Sequence, residues 1–127
     1  MRRSEQRRAA VVALYQADLT GRNPRDVLEP TARTFTRELV QGVEHWREEI
    51  DGLIERHAVG WTLDRIAPLD RNILRVALFE VLHRSDVPAE VAIAEAVESA
   101  KELCGADAPG FVNGILGAVL RESVQAT

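Results

Sequence analysis

Apolar side chains recur every three or four residues along most of this 127-residue chain, which is the spacing of one face of an α-helix. No segment shows the sustained alternation of apolar and polar residues that a half-buried strand requires. The helical patterns cover about residues 4–20, 31–57, 62–67, 68–84, 89–104 and 109 onward. A break near Gly42 or Trp46 divides the second stretch into two helices. The sequence therefore predicts an all-α fold.

Residues at the ends of these stretches predict where helices start and stop. Ser4 is expected to cap the first helix, and Gly21 to end it. Two prolines and a glycine in residues 21–30 predict a surface loop. Pro68 is expected to open the most buried helix. On the last helix, another backbone is expected to approach closely at three glycines, which are Gly110, Gly114 and Gly117.

Length and composition fit one domain, residues 1–127. Hydrophobic residues make up 46% of the chain, and a chain of this size buries roughly two-thirds of its unfolded surface without a disulfide or metal. The one cysteine, Cys104, cannot form an internal bridge. No run of about 20 apolar residues and no secretory signal is present. We therefore expect a cytoplasmic protein with no membrane association.

Positive charge is concentrated at the start of the chain. Residues 1–25 hold six arginines against two carboxylates, whereas the remainder holds ten basic and eighteen acidic side chains. Four of these residues, here called the arginine head, are Arg2, Arg3, Arg7 and Arg8. Together with the positive end of a helix dipole they would attract phosphates. A solvated, solubilising charge run is the alternative, and a GC-rich genome would produce the same preference for arginine.

The sequence lacks the usual components of a catalytic or metal site. Its histidines, His45, His57 and His83, do not have zinc-ligand spacing, and no phosphate loop, dinucleotide fingerprint or nucleophile elbow is present. We therefore expect no enzymatic activity, no metal and no cofactor.

Other side chains each allow two interpretations. Phe111 would stack on an unpaired base or pack in the core, and Asn113 would contact a base edge or backbone. The glutamates of the helix at 89–104 form a solvated face or a docking surface for a basic protein; they are Glu95, Glu98 and Glu102. Three further aromatic residues are interpreted as core, namely Tyr15, Trp46 and Trp61.

Four blocks, in order along nearly the whole chain, resemble the transcription antitermination factor NusB family. They are RRSEQRRAAVVALYQADL, PLDRNILRVALFEVLHRSDVP, VAIAEAVESAKELC and GFVNGILGAVL. The resemblance implies about seven helices in two three-helix subdomains packed at a steep angle. It also implies binding of boxA RNA in ribosomal RNA leader transcripts, as a heterodimer with ribosomal protein NusE. That pair would join NusA, NusG and RNA polymerase and support ribosomal RNA transcription and maturation.

The resemblance also implies roles for individual residues. The arginine head matches the family's arginine-rich N-terminus, and Phe111 and Asn113 fall in the block whose aromatic contacts RNA. Asp70 matches an acidic position on the side that faces NusE. His57 lies where some relatives have an aromatic residue, which would make it a stacking contact.

Besides His57, one further departure from the family's pattern limits this transfer. Ser4, Glu5 and Gln6 stand where many relatives have more arginine, so the RNA contribution of the head would be weaker, or shared with Arg22 and Arg25. The alternatives are a helical protein-binding adaptor without RNA binding, the NusB-like domain of a ribosomal RNA methyltransferase, and a homodimer that pairs through its RNA face. The chain contains no glycine-rich cofactor loop, which argues against the methyltransferase.

Overall fold

The structure is a computed structural model that describes the backbone of residues 2–125 and the side chains of residues 2–123. Within this part of the chain there are seven α-helices and no strand, which confirms the predicted all-α fold class. The helices are α1 (Arg3–Thr20), α2 (Pro24–Val27), α3 (Thr34–His45), α4 (Arg47–His57), α5 (Pro68–His83), α6 (Ala89–Leu103) and α7 (Ala108–Gln125). A 3-10 turn, Leu63–Arg65, lies between α4 and α5.

Several predicted helix boundaries are confirmed. Gly21 ends α1 in the left-handed conformation (φ 71°), and its N–H donates to the carbonyl of Ala17 at 2.9 Å. Pro68 occupies the first turn of α5, where its missing N–H costs nothing. Trp46 separates α3 from α4, as one of the two predicted breaks.

Two predictions about the first 30 residues are wrong. Ser4 does not cap α1: Arg2 holds that position, and the Ser4 hydroxyl instead donates to Glu95 Oε1 at 2.9 Å. Residues 21–30 are not all loop, because α2 lies within them. Asn23 caps this short helix by accepting from the N–H of Arg25 at 2.9 Å, and Pro24 starts it.

The helices pack in two groups of three, as predicted. Helices α1, α2 and α3 contact one another, and so do α5, α6 and α7. Helix α5 also packs on α1 and α3, while α4 lies against α5 and α7. Every residue from 72 to 80 on α5 is buried, which confirms that this helix lies at the centre of the core. The two surfaces of the candidate site lie at its two ends.

The close approach predicted at the α7 glycines does not occur. A Cβ added at Gly110 or Gly114 would meet nothing within 4 Å, and at Gly117 it would meet only Arg121 Nη1 at 3.3 Å. These glycines lie on the side of α7 that turns away from the core. The close approach is at Gly42 on α3, where a Cβ would overlap the ring of Phe79.

Candidate nucleic-acid interface

The arginine head occupies the N-terminal turns of α1, but its four side chains differ in exposure. Arg2 is the most open, with 87% of its side chain exposed. Arg3 is about half exposed, at 48%, and Arg8 is 26% exposed. Only these three guanidinium groups reach the surface of the head.

Arg7 is buried, which the sequence pattern does not reveal. Its Nε and Nη2 donate to Oε1 and Oε2 of Glu80 at 2.8 and 2.9 Å, and the side chains are 7% and 1% exposed. Burial alone would lower the pKa of Arg7, but the hydrogen bond and charge of Glu80 outweigh it and raise the pKa. Arg7 therefore stays charged, and it joins α1 to α5 instead of facing solvent.

Three arginines surround the ring of Phe35 on α3. The guanidinium carbons of Arg3, Arg7 and Arg84 lie 4.2, 5.3 and 5.2 Å from the ring centroid, within cation–π range. Arg84 also forms a two-bond pair with Asp86 and contacts Glu38. The hydrogen bond from Arg84, opposed by partial desolvation, holds the pKa of Asp86 well below its usual range.

Carboxylates along one side of α1 pair with the head. We call Asp86, Glu95 and Glu102 the acidic row. Arg3 Nη2 lies 3.3 Å from Asp86 Oδ2, and Arg8 Nη2 lies 3.1 Å from Glu102 Oε1. Glu95 accepts from Ser4, as described above. The sequence predicted that Glu95, Glu98 and Glu102 form one solvated or docking face. Of these three, Glu98 alone pairs within α6, with Lys101 at 3.3 Å.

A second surface is aromatic and lies at the other end of α5. We call Trp61 and Phe111 the aromatic patch. Trp61 is 51% exposed, and its ring meets that of Phe111 edge to face, with centroids 6.5 Å apart. Val59 is 89% exposed. Gly60, between these two residues, is in the left-handed conformation (φ 82°). Because half of Trp61 is exposed, its interpretation as core is wrong.

Phe111 packs on the core, as one of its two interpretations expects, and is also partly exposed. Its ring is half-buried and packs against the core. With Trp61 it also lines an open cleft of about 310 Å³. The cleft therefore presents one exposed and one partly exposed ring to a ligand.

Asp70 stands at the rim of this cleft, on the first turn of α5. It also contacts Cys104. Burial first, and then the hydrogen bond and negative charge of Asp70, raise the pKa of the Cys104 thiol to about 12. The cysteine is therefore a neutral thiol at physiological pH. The side chain of Asp70 is partly exposed beside the aromatic patch.

Asn113 is exposed but does not share the side of α7 that Phe111 occupies. Two residues apart on an α-helix, the two side chains are separated by about 200° around the axis. The bare glycines Gly110 and Gly114 lie between them. The structure therefore does not bring Phe111 and Asn113 together in one pocket.

His57 lies outside the aromatic patch. Its Nε2 is 3.2 Å from Oε2 of Glu122, and its side chain is 13% exposed. Glu122 is eleven residues beyond Phe111 on α7, or about 16 Å along the axis. His57 thus contributes to the contact between α4 and α7, and its ring is not presented for stacking.

Trp46 is a further exposed aromatic that the sequence interpretation assigned to the core. It is 37% exposed and stacks on His83, with ring centroids 3.9 Å apart and an interplanar angle of 10°. The His83 ring lies 2.6 Å from Glu49. Both Trp46 and Trp61 follow the end of a helix, and no sequence signal distinguishes the surroundings of one from those of the other.

Among residues 2–123, no three His, Cys, Asp or Glu side chains are close enough together to hold a metal ion. None of the helices in the described part of the chain is long and apolar enough to cross a membrane.

These features define an all-α protein with an ion-paired arginine surface and an aromatic cleft at opposite ends of a buried helix. The chain belongs to the NusB family, whose sequence profile matches residues 4–121. It is 44% identical to the transcription antitermination protein NusB of Symbiobacterium thermophilum, covering 95% of this chain and 90% of that protein. It is 45% identical to the NusB of Acidothermus cellulolyticus, covering 92% and 86%.

Solved structures of NusB share the fold. The structure of Thermotoga maritima NusB is 33% identical, with a TM-score of 0.86 over 96% of this chain and 92% of that one. A crystal structure of antitermination factors NusB and NusE in complex with double-stranded RNA is 28% identical, with a TM-score of 0.82 over 96% and 99%. The predicted family and fold are thereby confirmed.

Proposed function

We propose that this protein is an antitermination factor that binds boxA RNA of ribosomal RNA leader transcripts together with NusE. The observation that carries the proposal is the exposed aromatic patch, since a half-exposed tryptophan beside a phenylalanine is a stacking platform for unpaired bases. The matching NusB chain crystallised with NusE and RNA supports both partners. The protein acts as a binding factor in the cytoplasm, without catalysis.

The arginine head supplies the second part of the RNA interface. Arg2, Arg3 and Arg8 would contact phosphates, which gives affinity that depends on salt but not on sequence. Arg7 holds the head against α5 and is assigned a positioning role. Glu80 and Asp70 are ten residues apart on α5, which corresponds to about 15 Å along the helix axis. One RNA must therefore span several nucleotides to touch both the arginine head and the aromatic patch.

A basic partner fits the acidic body of the protein. The chain carries a formal charge of −4, and its carboxylates repel RNA phosphates away from the arginines. NusE, placed next to Asp70, would cover part of this acidic surface and extend the RNA site. The resulting pair would join NusA, NusG and RNA polymerase, in support of ribosomal RNA transcription and maturation.

Replacing Trp61 with alanine tests the stacking role. We expect the Trp61→Ala variant to lose about 1–3 kcal/mol of boxA RNA binding, as is usual for a base-stacking aromatic. Its free energy of unfolding should change little, because half of the side chain is already in solvent. Phe111→Ala should weaken both RNA binding and stability, because its ring also packs on the core.

The matched control is Trp46→Ala, which removes an exposed tryptophan from a different surface. Fluorescence anisotropy with a labelled single-stranded boxA RNA measures all three variants. An equal loss of affinity for Trp46→Ala and Trp61→Ala, or no loss for either, would contradict the assignment of the aromatic patch.

A further inference from the structure

Each arginine of the head that reaches the surface is already paired with a carboxylate. Arg8 is 3.1 Å from Glu102, Arg3 is 3.3 Å from Asp86, and Arg2 Nε is 3.8 Å from Glu5 Oε1. The partners of Arg3 and Arg8 come from the α5–α6 junction and from α6, more than 80 residues away in the sequence. The arginine head is therefore an ion-paired surface in the free protein.

The local charge balance is close to neutral. Five arginines meet six carboxylates around the N-terminal turns of α1. The arginines are those of the head and Arg84, and the carboxylates are Glu5, Glu38, Glu80, Asp86, Glu95 and Glu102. Among these ion-paired groups the arginines therefore do not outnumber the carboxylates, because the fold brings acidic residues to the arginine head.

Carboxylate and phosphate oxygens bind a guanidinium group in the same way. Both accept two parallel N–H bonds from the planar fork of arginine. An RNA phosphate that contacts Arg3 or Arg8 must therefore compete with Asp86 or Glu102. These pairs are accessible enough to exchange, since 49% of the Asp86 side chain and 54% of the Glu102 side chain are exposed.

We propose that Asp86 and Glu102 act as built-in competitors of RNA phosphate, so that RNA binds the arginine head by displacing them. This inference rests on the proposed RNA-binding function. The competition lowers the affinity for every RNA by a similar factor, because phosphate contacts carry no sequence information. Phosphate contacts alone then hold any RNA only weakly, so stable binding also requires the stacking and base contacts elsewhere.

Glu102→Gln is the sharpest test, because it removes the competing charge while keeping the shape of the side chain. An exposed ion pair is worth up to about 1 kcal/mol, so we expect RNA affinity to rise about two- to fivefold. The gain should be equal for boxA RNA and a scrambled RNA. Freed from its carboxylate, Arg8 should also steepen the dependence of log Kd on log salt by up to about one unit.

Glu98→Gln is the matched control. Glu98 lies one turn before Glu102 on α6, is 56% exposed, and pairs with Lys101 instead of an arginine of the head. Both substitutions change the net charge of the protein equally. Glu98→Gln should therefore leave RNA affinity almost unchanged, whereas a general effect of charge would make the two variants alike.

A double-mutant cycle with Arg8→Gln completes the experiment. In the wild-type protein, removing Arg8 also releases Glu102, whereas in the Glu102→Gln protein Arg8 is fully available to RNA. We therefore expect Arg8→Gln to cost more affinity in the Glu102→Gln background. Urea unfolding of all variants checks that the fold is retained.

Equal gains for Glu98→Gln and Glu102→Gln, or the same cost of Arg8→Gln in both backgrounds, would overturn the competition while leaving RNA binding in place. If the wild-type protein and every variant fail to bind either RNA, with or without NusE, the proposed function itself is overturned and this inference with it.

Discussion

Replacing Glu80 with alanine should lower the free energy of unfolding by about 3–5 kcal/mol, the usual cost of leaving one member of a buried ion pair without its partner. Glu80 is 1% exposed and holds Arg7 through two short hydrogen bonds. Without it, the buried guanidinium of Arg7 keeps the ring of Phe35 and a more distant carboxylate, Glu95 at 3.9 Å. Urea unfolding at neutral pH measures the change.

Two further variants make this prediction specific. The double variant Arg7→Met with Glu80→Met should be close to wild type in stability, because well-packed apolar residues often replace a buried ion pair without loss. Glu102→Ala, which breaks only a surface pair, should cost no more than about 1 kcal/mol. A Glu80→Ala variant as stable as Glu102→Ala would show that the Arg7–Glu80 pair is not buried.

The second large effect is expected at Asp18, near the end of α1. One oxygen of its carboxylate accepts hydrogen bonds from Arg71, Asn72 and Arg75 on α5, at 2.9 to 3.2 Å. Asp51 on α4 binds the other side of Arg75 at 2.8 and 3.0 Å. This network joins α1, α4 and α5, so Asp18→Ala should also cost about 3–5 kcal/mol.

The pH dependence of stability provides an independent check on Asp18. Burial by itself would raise the pKa of Asp18, but the hydrogen bond from Asn72 and the charges of Arg75 and Arg71 lower it overall. Its contribution is therefore complete above the unfolded value of about 3.9 and is lost as the pH falls through the lower folded value. The stability difference between the wild type and Asp18→Ala should narrow in acid.

Urea unfolding between neutral pH and about pH 3 measures this difference. Asp26→Ala is the control, because Asp26 is exposed and should change stability by less than about 0.5 kcal/mol. A difference between wild type and Asp18→Ala that stays constant into acid would contradict the assigned direction of the Asp18 pKa.

The helices were predictable because their signals are local. The apolar spacing locates α1 and α3 to α7, and Gly21, Pro68 and Trp46 mark boundaries through their own conformations. Helix α2 also has a local signal, an asparagine cap followed by Pro24, although two prolines and a glycine nearby favour a loop interpretation. Periodicity alone does not show which side of α7 faces away from the core, so a close approach of another backbone was wrongly predicted at its glycines.

The arrangement of charges was not predictable, because its partners are far apart in the sequence. Arg7 and Glu80 are separated by 73 residues, and Ser4 and Glu95 by 91. A run of arginines therefore looks the same in sequence whether its side chains face solvent, as Arg2 does, or a buried glutamate, as Arg7 does. The family resemblance located Phe111, but the exposed ring of Trp61 required the structure.

Equilibrium binding of labelled boxA RNA, followed by fluorescence anisotropy across a salt series with and without NusE, tests the central claim most directly. A scrambled single strand and a duplex of the boxA sequence serve as controls; the duplex separates stacking on unpaired bases from phosphate contacts alone. We predict selective binding to the boxA strand, tighter with NusE, with an affinity that falls as the salt concentration rises. Equal, weak binding to all three RNAs under every condition would contradict the account and favour a protein-binding adaptor.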